Sequence, residues 1–234
     1  MPDISARIRE NLAQVRQRIA AAATRSRRSA DEIKLVPVTK YVGKAEIEAL
    51  VQAGCTDFGE SRPQQLWQRA RELAGLPIRW HMIGHLQRNK VRRTLPLVSM
   101  IHSADSLRLV QDLDETAAEL GRRIPILLEV NTSGEPAKGG FQAHELEPLL
   151  PELAAIKQVD IRGLMCMASL EGGNDAARRD FAALRHLRDR IRSHCPPQIA
   201  LEELSMGMSG DYEIAIEEGA TIVRVGSALF EGVV

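Results

Sequence analysis

The run LVPVTKY, residues 35–41, carries an apolar segment straight into Lys40. A lysine at the tip of a buried strand is held away from water. Burial disfavours its charged form, and the neutral amine that results attacks aldehydes. Side chains alternate along a strand, so Lys40 shares a face with Val36 and Val38. The plain alternative is a lysine that snorkels to solvent from the strand end.

A second stretch, LSMGMSGDYEIAIEEGATIVRVGSALFEG at 204–232, holds the pieces of an anion site. Ser205 ends one apolar segment and Arg224 lies in the next. Gly226 lets backbone amides close on an anion, Ser227 adds an amide and a hydroxyl, and a helix start just beyond would lend its positive end. The competing reading is a glycine that only makes a tight turn. His81 and His85 have the spacing of a helical metal pair, but WHMIGH reads as strand plus turn. There the same spacing separates the groups by about 13 Å, so no shared metal is expected.

Elements must position these groups. Ile4, Ile8, Leu12, Val15 and Ile19 recur at helical steps and predict an amphipathic helix over 4–23. Short apolar segments then follow near 33–39, 56–59, 79–83, 98–102, 126–130, 161–167, 201–205 and 221–225. Helix-period stretches separate them, such as SLRLVQDLDETAAEL, which Asp105 or Ser106 can cap. The last helix is expected over about 210–218, with Ser209 as N-cap and Gly219 as its stop. Such βα units build either a doubly wound sheet or a closed barrel, and eight of them favour the barrel. The expected fold is therefore α/β: a single-domain (β/α)8 TIM barrel over residues 1–234, with an extra N-terminal helix (residues 1–30) packed on it. Pro37 cannot donate to a ladder, so an irregularity is expected in the first strand. LEGGNDAARRD, 170–180, reads as the most flexible loop.

Composition narrows the class. Lys plus Arg equals Asp plus Glu, at 31 each, which argues against nucleic acid as a partner. No apolar run is long enough for a membrane span. The first 28 residues are charged throughout, without the apolar core of a signal peptide. Cys55, Cys166 and Cys195 form no CxxC. These features fit a cytoplasmic protein.

Function in a barrel collects at the carboxyl ends of the strands, and phosphate sites recur after strands seven and eight. The residues at those ends are Lys40, Glu60, His85, His102, Asn131, Met167, Ser205 and Arg224. An amine on strand one then neighbours an anion cradle on strands seven and eight. Pyridoxal 5′-phosphate carries an aldehyde and a phosphate at opposite ends. Lys40 would form the imine, Ser205, Gly226 and Ser227 would hold the phosphate, and Arg224 would face the ring nitrogen.

The segments LVPVTK, FGESRPQQL, WHMIGHLQRNK, IHSADS, VNTSGEPAKGGF, GLMCMA and the 204–232 stretch resemble the pyridoxal phosphate homeostasis proteins, also known as YggS-like proteins or proline synthetase co-transcribed homologues. The resemblance runs from about residue 33 to 232. It implies a barrel of the alanine racemase N-terminal type, cytoplasmic, holding the cofactor as a Schiff base on Lys40 with Ser205, Arg224, Gly226 and Ser227 around it. Two departures stand out. Ser61 replaces the asparagine of the family's FGEN, and His85 stands where a proline is common. The family is regarded as controlling the supply of free cofactor.

A non-catalytic carrier is the expected function, with PLP-dependent apoenzymes as transient acceptors and a monomeric state. An arginine at the ring nitrogen weakens the ring as an electron sink. Racemisation also needs a second acid/base, and no residue stands out for it, since Tyr41 should point away from Lys40 along the strand. The alternatives left open are a minimal PLP-dependent amino-acid racemase and a lysine-imine aldolase acting on a sugar phosphate.

Overall fold

The computed structural model describes residues 4–135, 138–169 and 171–233. Pro136 and Ala137 of the VNTSGEPAKGGF segment, and Leu170 at the start of the anticipated loop, lie outside the described residues. Eight parallel strands form the wall of a barrel: β1 (Lys34–Pro37), β2 (Asp57–Glu60), β3 (Arg79–Met82), β4 (Met100–Ala104), β5 (Ile124–Asn131), β6 (Val159–Met165), β7 (Glu203–Ser205) and β8 (Ile222–Val225). Their hydrogen-bonded order is β1, β8, β7, β6, β5, β4, β3, β2. A two-residue strand, Phe141–Gln142, pairs beside the end of β5.

The barrel closes between β1 and β2 through one bridge, Val38 to Gly59. Pro37 is the reason. Lys34 and Val38 donate their N–H groups toward β8, to Thr221 and Val225, while Thr39 donates toward β2, to Gly59. Consecutive amides point to opposite sides, so residue 37 is due to donate toward β2 and, as proline, has no N–H to give. The irregularity expected at Pro37 is thus a thinned seam between the first two strands.

The outer layer is α1 (Ile4–Arg25), α2 (Lys44–Gln52), α3 (Pro63–Glu72), α4 (Val91–Thr94), α5 (Leu107–Glu119), α6 (Ala143–Ala154), α7 (Gly173–Arg192) and α8 (Tyr212–Glu217). After β8 the described residues make a 3₁₀ turn, Ser227–Leu229. The N-terminal helix α1 packs between α8 and α2, on the outside of the β8–β1 wall. Its apolar stripe of Ile8, Leu12, Val15 and Ile19 is buried, and its buried Asn11 donates to the carbonyls of Leu229 and Glu231. Arg18 and Arg25 pair with Glu213 and Glu217 at the flank of α8.

Local signals settle most helix ends. Ser106 caps α5, accepting from the Leu109 amide. Gly219, at φ +98°, ends the turn after α8. Ser209 does not cap α8, which starts later, behind Asp211. The loop anticipated over 170–180 is much shorter than its composition suggests. Helix α7 already begins at Gly173, after Gly172 at φ +92°, and Asp180 ties Ser169 to that helix by accepting from its amide and hydroxyl.

The main core lies between sheet and helices, and a small separate cluster fills the barrel interior: Val36, Met100, Leu127, Met165 and Ile222. This inner plug closes the barrel beneath the carboxyl ends of the strands.

Candidate functional site

Above the plug, at the carboxyl ends of the strands, opens a cavity of about 1300 Å³. Lys40, Arg224, Gly226 and Ser227 line it; Ser205 does not. Lys40 departs from expectation in one respect. The strand has ended at Pro37 and Lys40 sits in a turn, exposed at the cavity mouth rather than buried. Because strand alternation stops there, Tyr41 does not point away. It lines the same cavity, with the Lys40 Nζ 4.8 Å from its ring centroid.

The turn carrying Lys40 is fixed from behind by a buried ion pair. Glu60 is fully buried, and Arg69 bonds it while donating to the carbonyls of Thr39 and Val42 on either side of Lys40 and Tyr41. Gln65 donates to the Lys40 carbonyl at 3.2 Å. Burial raises the Glu60 pKa, and Arg69 opposes that shift. Glu60, at a strand end, is thus a structural partner of the Lys40 turn. Asn131 likewise serves its own loop, accepting from Ser133 and Gly134 and donating to the carbonyls of Glu135 and Lys138.

Ser205 belongs inside the barrel. It is fully buried and is one link of a chain crossing the interior from β2 to β8. Asp57 Oδ1 lies 2.9 Å from His81 Nε2, and His81 Nδ1 lies 2.9 Å from His102 Nε2. His102 Nδ1 lies 2.8 Å from Ser205 Oγ, which accepts from Arg224 Nη1 at 2.6 Å. One proton arrangement satisfies every member. Arg224 donates to Ser205, Ser205 to His102, His102 to His81, and His81 to the Asp57 carboxylate. Burial drives the His102 pKa well below its ordinary value, helped by His81 and Arg224, so its ring is neutral as this arrangement requires. Burial raises the Asp57 pKa, but bonds from His81 and Arg79 outweigh it and hold the carboxyl below the usual range. Arg224 is therefore gripped from below, its second nitrogen donating to the Cys166 carbonyl at 2.9 Å.

Of the two serines in SMGMS, Ser209 is the one that lines the cavity. Its hydroxyl accepts from the amides of Gly226 at 3.1 Å and Ala228 at 3.3 Å. Two backbone donors thus converge on one oxygen at the cavity wall, the arrangement an anion's oxygen takes up. Ser209 stands four residues beyond Ser205 in SMGMS, and the sequence reading gave the phosphate to Ser205 and only a helix cap to Ser209. The short strand β7 separates the two: Ser205 still belongs to the strand and points inward, whereas Ser209 follows Gly207, whose φ of +89° turns the chain over the rim. The helix start expected after Ser227 is only the 3₁₀ turn, so the cradle relies on individual amides rather than on a helix end.

The opposite wall carries acids that the strand-end reading passed over. Glu129 on β5 has the inward parity of Leu127, is 7 % exposed, and lines the cavity. Burial, then the nearby Asp105 charge, pushes its pKa up to about 7 against the pull of Arg224 and His85. Asp105 itself pairs with His85 at 2.8 Å. An acid/base group therefore does face the cavity, contrary to expectation; the signal for it was a glutamate inside the apolar run ILLEVN. His81 and His85 serve different places, one in the interior chain and one at the cavity rim.

Residues 5–233 match the family model described as "Alanine racemase, N-terminal domain". A protein of Aquifex aeolicus named "Pyridoxal phosphate homeostasis protein" is 37 % identical, over 94 % of this chain and 96 % of that protein. Among solved structures, PipY of Synechococcus elongatus PCC7942 with PLP bound is 37 % identical with a TM-score of 0.85, over 95 % of this chain and 99 % of that one. An alanine racemase of Clostridium difficile 630 shares the fold at 16 % identity and a TM-score of 0.74. It covers 96 % of this chain but only 55 % of its own.

Proposed function

Since this chain belongs to the alanine racemase N-terminal domain family and, within it, to the pyridoxal phosphate homeostasis proteins, we propose that it binds pyridoxal 5′-phosphate in the cavity above the barrel plug and stores or delivers it. The observation that carries this reading is that one cavity is lined both by the Lys40 turn and by amides gathered at Ser209. Strands β1 and β8 are paired, so the two sides of that cavity are neighbours. The cofactor supplies an aldehyde for a Schiff base with Lys40 and a phosphate for the cradle.

Each residue then has a defined task. Glu60 and Arg69 hold the Lys40 turn in place. Ser209, whose oxygen accepts from the amides of Gly226 and Ala228 and whose hydroxyl proton is thereby left to donate, takes the phosphate together with Ser227 at the Gly226 turn. Ser205 supports Arg224 from within the barrel rather than meeting the ligand. Arg224, already donating to Ser205 and Cys166, keeps further guanidinium hydrogens for the ring nitrogen, and a cation there discourages ring protonation. That favours holding the cofactor over driving carbanion chemistry on it. Cytoplasmic PLP-dependent apoenzymes are the acceptors in this reading, and the carrier acts as a monomer.

The purified protein should be yellow. Borohydride should bleach the yellow colour while fixing the cofactor, through a secondary amine, onto a peptide containing Lys40, and Lys40→Ala should lack the colour from the start with its circular dichroism unchanged. Trapping on any other lysine, or an unaltered spectrum in Lys40→Ala, would overturn the assignment. The minimal racemase keeps one supporting observation, the Glu129 acid in the cavity, and is checked by solvent-deuterium exchange at the α-carbon of a panel of amino acids.

A further inference from the structure

We propose that Glu129, flanked by Asp105 and His85, forms a second subsite in the same cavity, which takes the ammonium group of a small primary amine. The carboxyl is more than nine-tenths buried, faces the cavity, and has no hydrogen-bond or ion-pair partner among the described residues. A buried carboxyl without a partner is costly, and structures retain one where a ligand completes it. Its surroundings define the charge of that ligand. Asp105, just after β4, adds a second negative group, and among the described residues the basic side chain at hydrogen-bond distance from it is the His85 ring. The Arg224 guanidinium lowers the Glu129 pKa by its charge but makes no hydrogen bond to it, donating instead to Ser205 and the Cys166 carbonyl. The cavity is thus polarised, with anion-holding amides on the β7–β8 side and carboxyls on the β4–β5 side.

Size agrees with a second occupant. About 1300 Å³ exceeds the roughly 300–1,000 Å³ usual for a pocket that encloses one drug-sized molecule. The raised Glu129 pKa, about 7, adds a chemical consequence, because the carboxylate can accept a proton from a bound ammonium near neutral pH. Burial sets this titration first, and the charged groups acting on it are Asp105 just after β4, Arg224 from β8 and His85 from the loop after β3. Resting here on the reading of Lys40 given above, the neutral amine is the nucleophile that can displace Lys40. One carbon–nitrogen linkage to the aldehyde carbon forms as the lysine linkage breaks. The proton taken by Glu129 passes to the departing lysine nitrogen, and nothing is oxidised or reduced. Release then responds to amine supply instead of depending on hydrolysis alone.

Ethylammonium chloride is the probe, with sodium acetate and tetramethylammonium chloride at matched ionic strength as controls. Binding is read by calorimetry and by the ¹³C signals of labelled glutamate carboxyls, on unloaded protein and on protein saturated with pyridoxal phosphate. The expected result is saturable ethylammonium binding that shifts one carboxyl signal, absent in Glu129→Gln, with affinity at least tenfold weaker in that variant. On loaded protein, ethylammonium should speed loss of the lysine-linked absorbance saturably, and Glu129→Gln should lose that acceleration at least tenfold. Equal binding by Glu129→Gln, equal effects of acetate, or a tenfold loss of cofactor affinity in place of amine affinity would overturn the subsite. If loaded protein shows no Lys40-dependent absorbance, the Lys40 reading fails, and binding to unloaded protein still decides the subsite.

Discussion

Replacing Arg69 by methionine tests the support of the Lys40 turn. The substitution keeps much of the packing volume but leaves the fully buried Glu60 without its cation. It also strips the carbonyls of Thr39 and Val42 of their donor. Breaking one side of a buried pair costs about 3–5 kcal/mol. At about 2–4 °C per kcal/mol for a chain of this size, the melting temperature should fall by about 6–20 °C. The sign of the pH dependence follows from Glu60, whose folded pKa is already raised, by burial first and against the opposing effect of Arg69. A carboxyl with a raised folded pKa contributes stability that is full below its unfolded value, about 4.3. That contribution is lost as pH rises through the folded value. Without Arg69 the folded value climbs further, so the deficit should be large at pH 7.5 and shrink toward pH 4.5. Circular dichroism melts of wild type, Arg69→Met, Glu60→Gln and the double variant at both pH values make the check. The double variant should recover most of the loss. A pH-independent deficit, or strictly additive single effects, would refute the claim that the pair acts as one unit under the Lys40 turn.

Other expectations address the interior chain and the strand packing. His102→Leu leaves the Ser205 hydroxyl proton without its acceptor, although its oxygen still accepts from Arg224, and one His81 nitrogen without a partner, two losses at about 1–3 kcal/mol each. Urea denaturation should show a loss of that order, with weaker cofactor retention because Arg224 loses its fixed support; an unchanged midpoint would dissolve the chain as a stabilising unit. Gly163→Ala puts a methyl 1.9 Å from the Glu203 carbonyl oxygen, so β6 and β7 must separate. It should lower the melting temperature clearly, whereas Gly75→Ala, which meets nothing within 4 Å, should stay within about 0.5 kcal/mol of wild type. Asp57 has a folded pKa held down by His81 and Arg79 against its burial, so its contribution is present above the unfolded value near 3.9 and fades as pH falls below it. Asp57→Asn should therefore flatten the acid limb of a melting-temperature profile, and an unaltered limb would exclude Asp57 as its source.

Part of this protein is legible in the order of its residues. Alternating apolar and helix-period segments follow from local side-chain patterning, so the eight strands and the barrel could be read without coordinates, as could the positions of Lys40, Arg224 and Gly226 near strand ends. The missing amide of Pro37 announced an irregularity in the first strand, although not that a single bridge at Val38 closes the barrel there. What patterning cannot convey is which of two nearby groups faces a cavity, because that depends on where each strand stops. β1 stops at Pro37, so Lys40 stands exposed on a turn beside Tyr41. β7 stops at Ser205, so that serine is drawn into the interior and Ser209 reaches the cavity wall. Glu129 looked like one charge in an apolar run; closure of the barrel buries it and sets it across the cavity from the amine. Strand periodicity is a property of neighbouring residues, whereas burial, the proton order of Asp57, His81, His102 and Ser205, and the acid opposite Lys40 exist only once distant segments meet. Sequence thus determined the scaffold and the place of Lys40 beside the first strand, and the closed barrel alone decided which partners surround it.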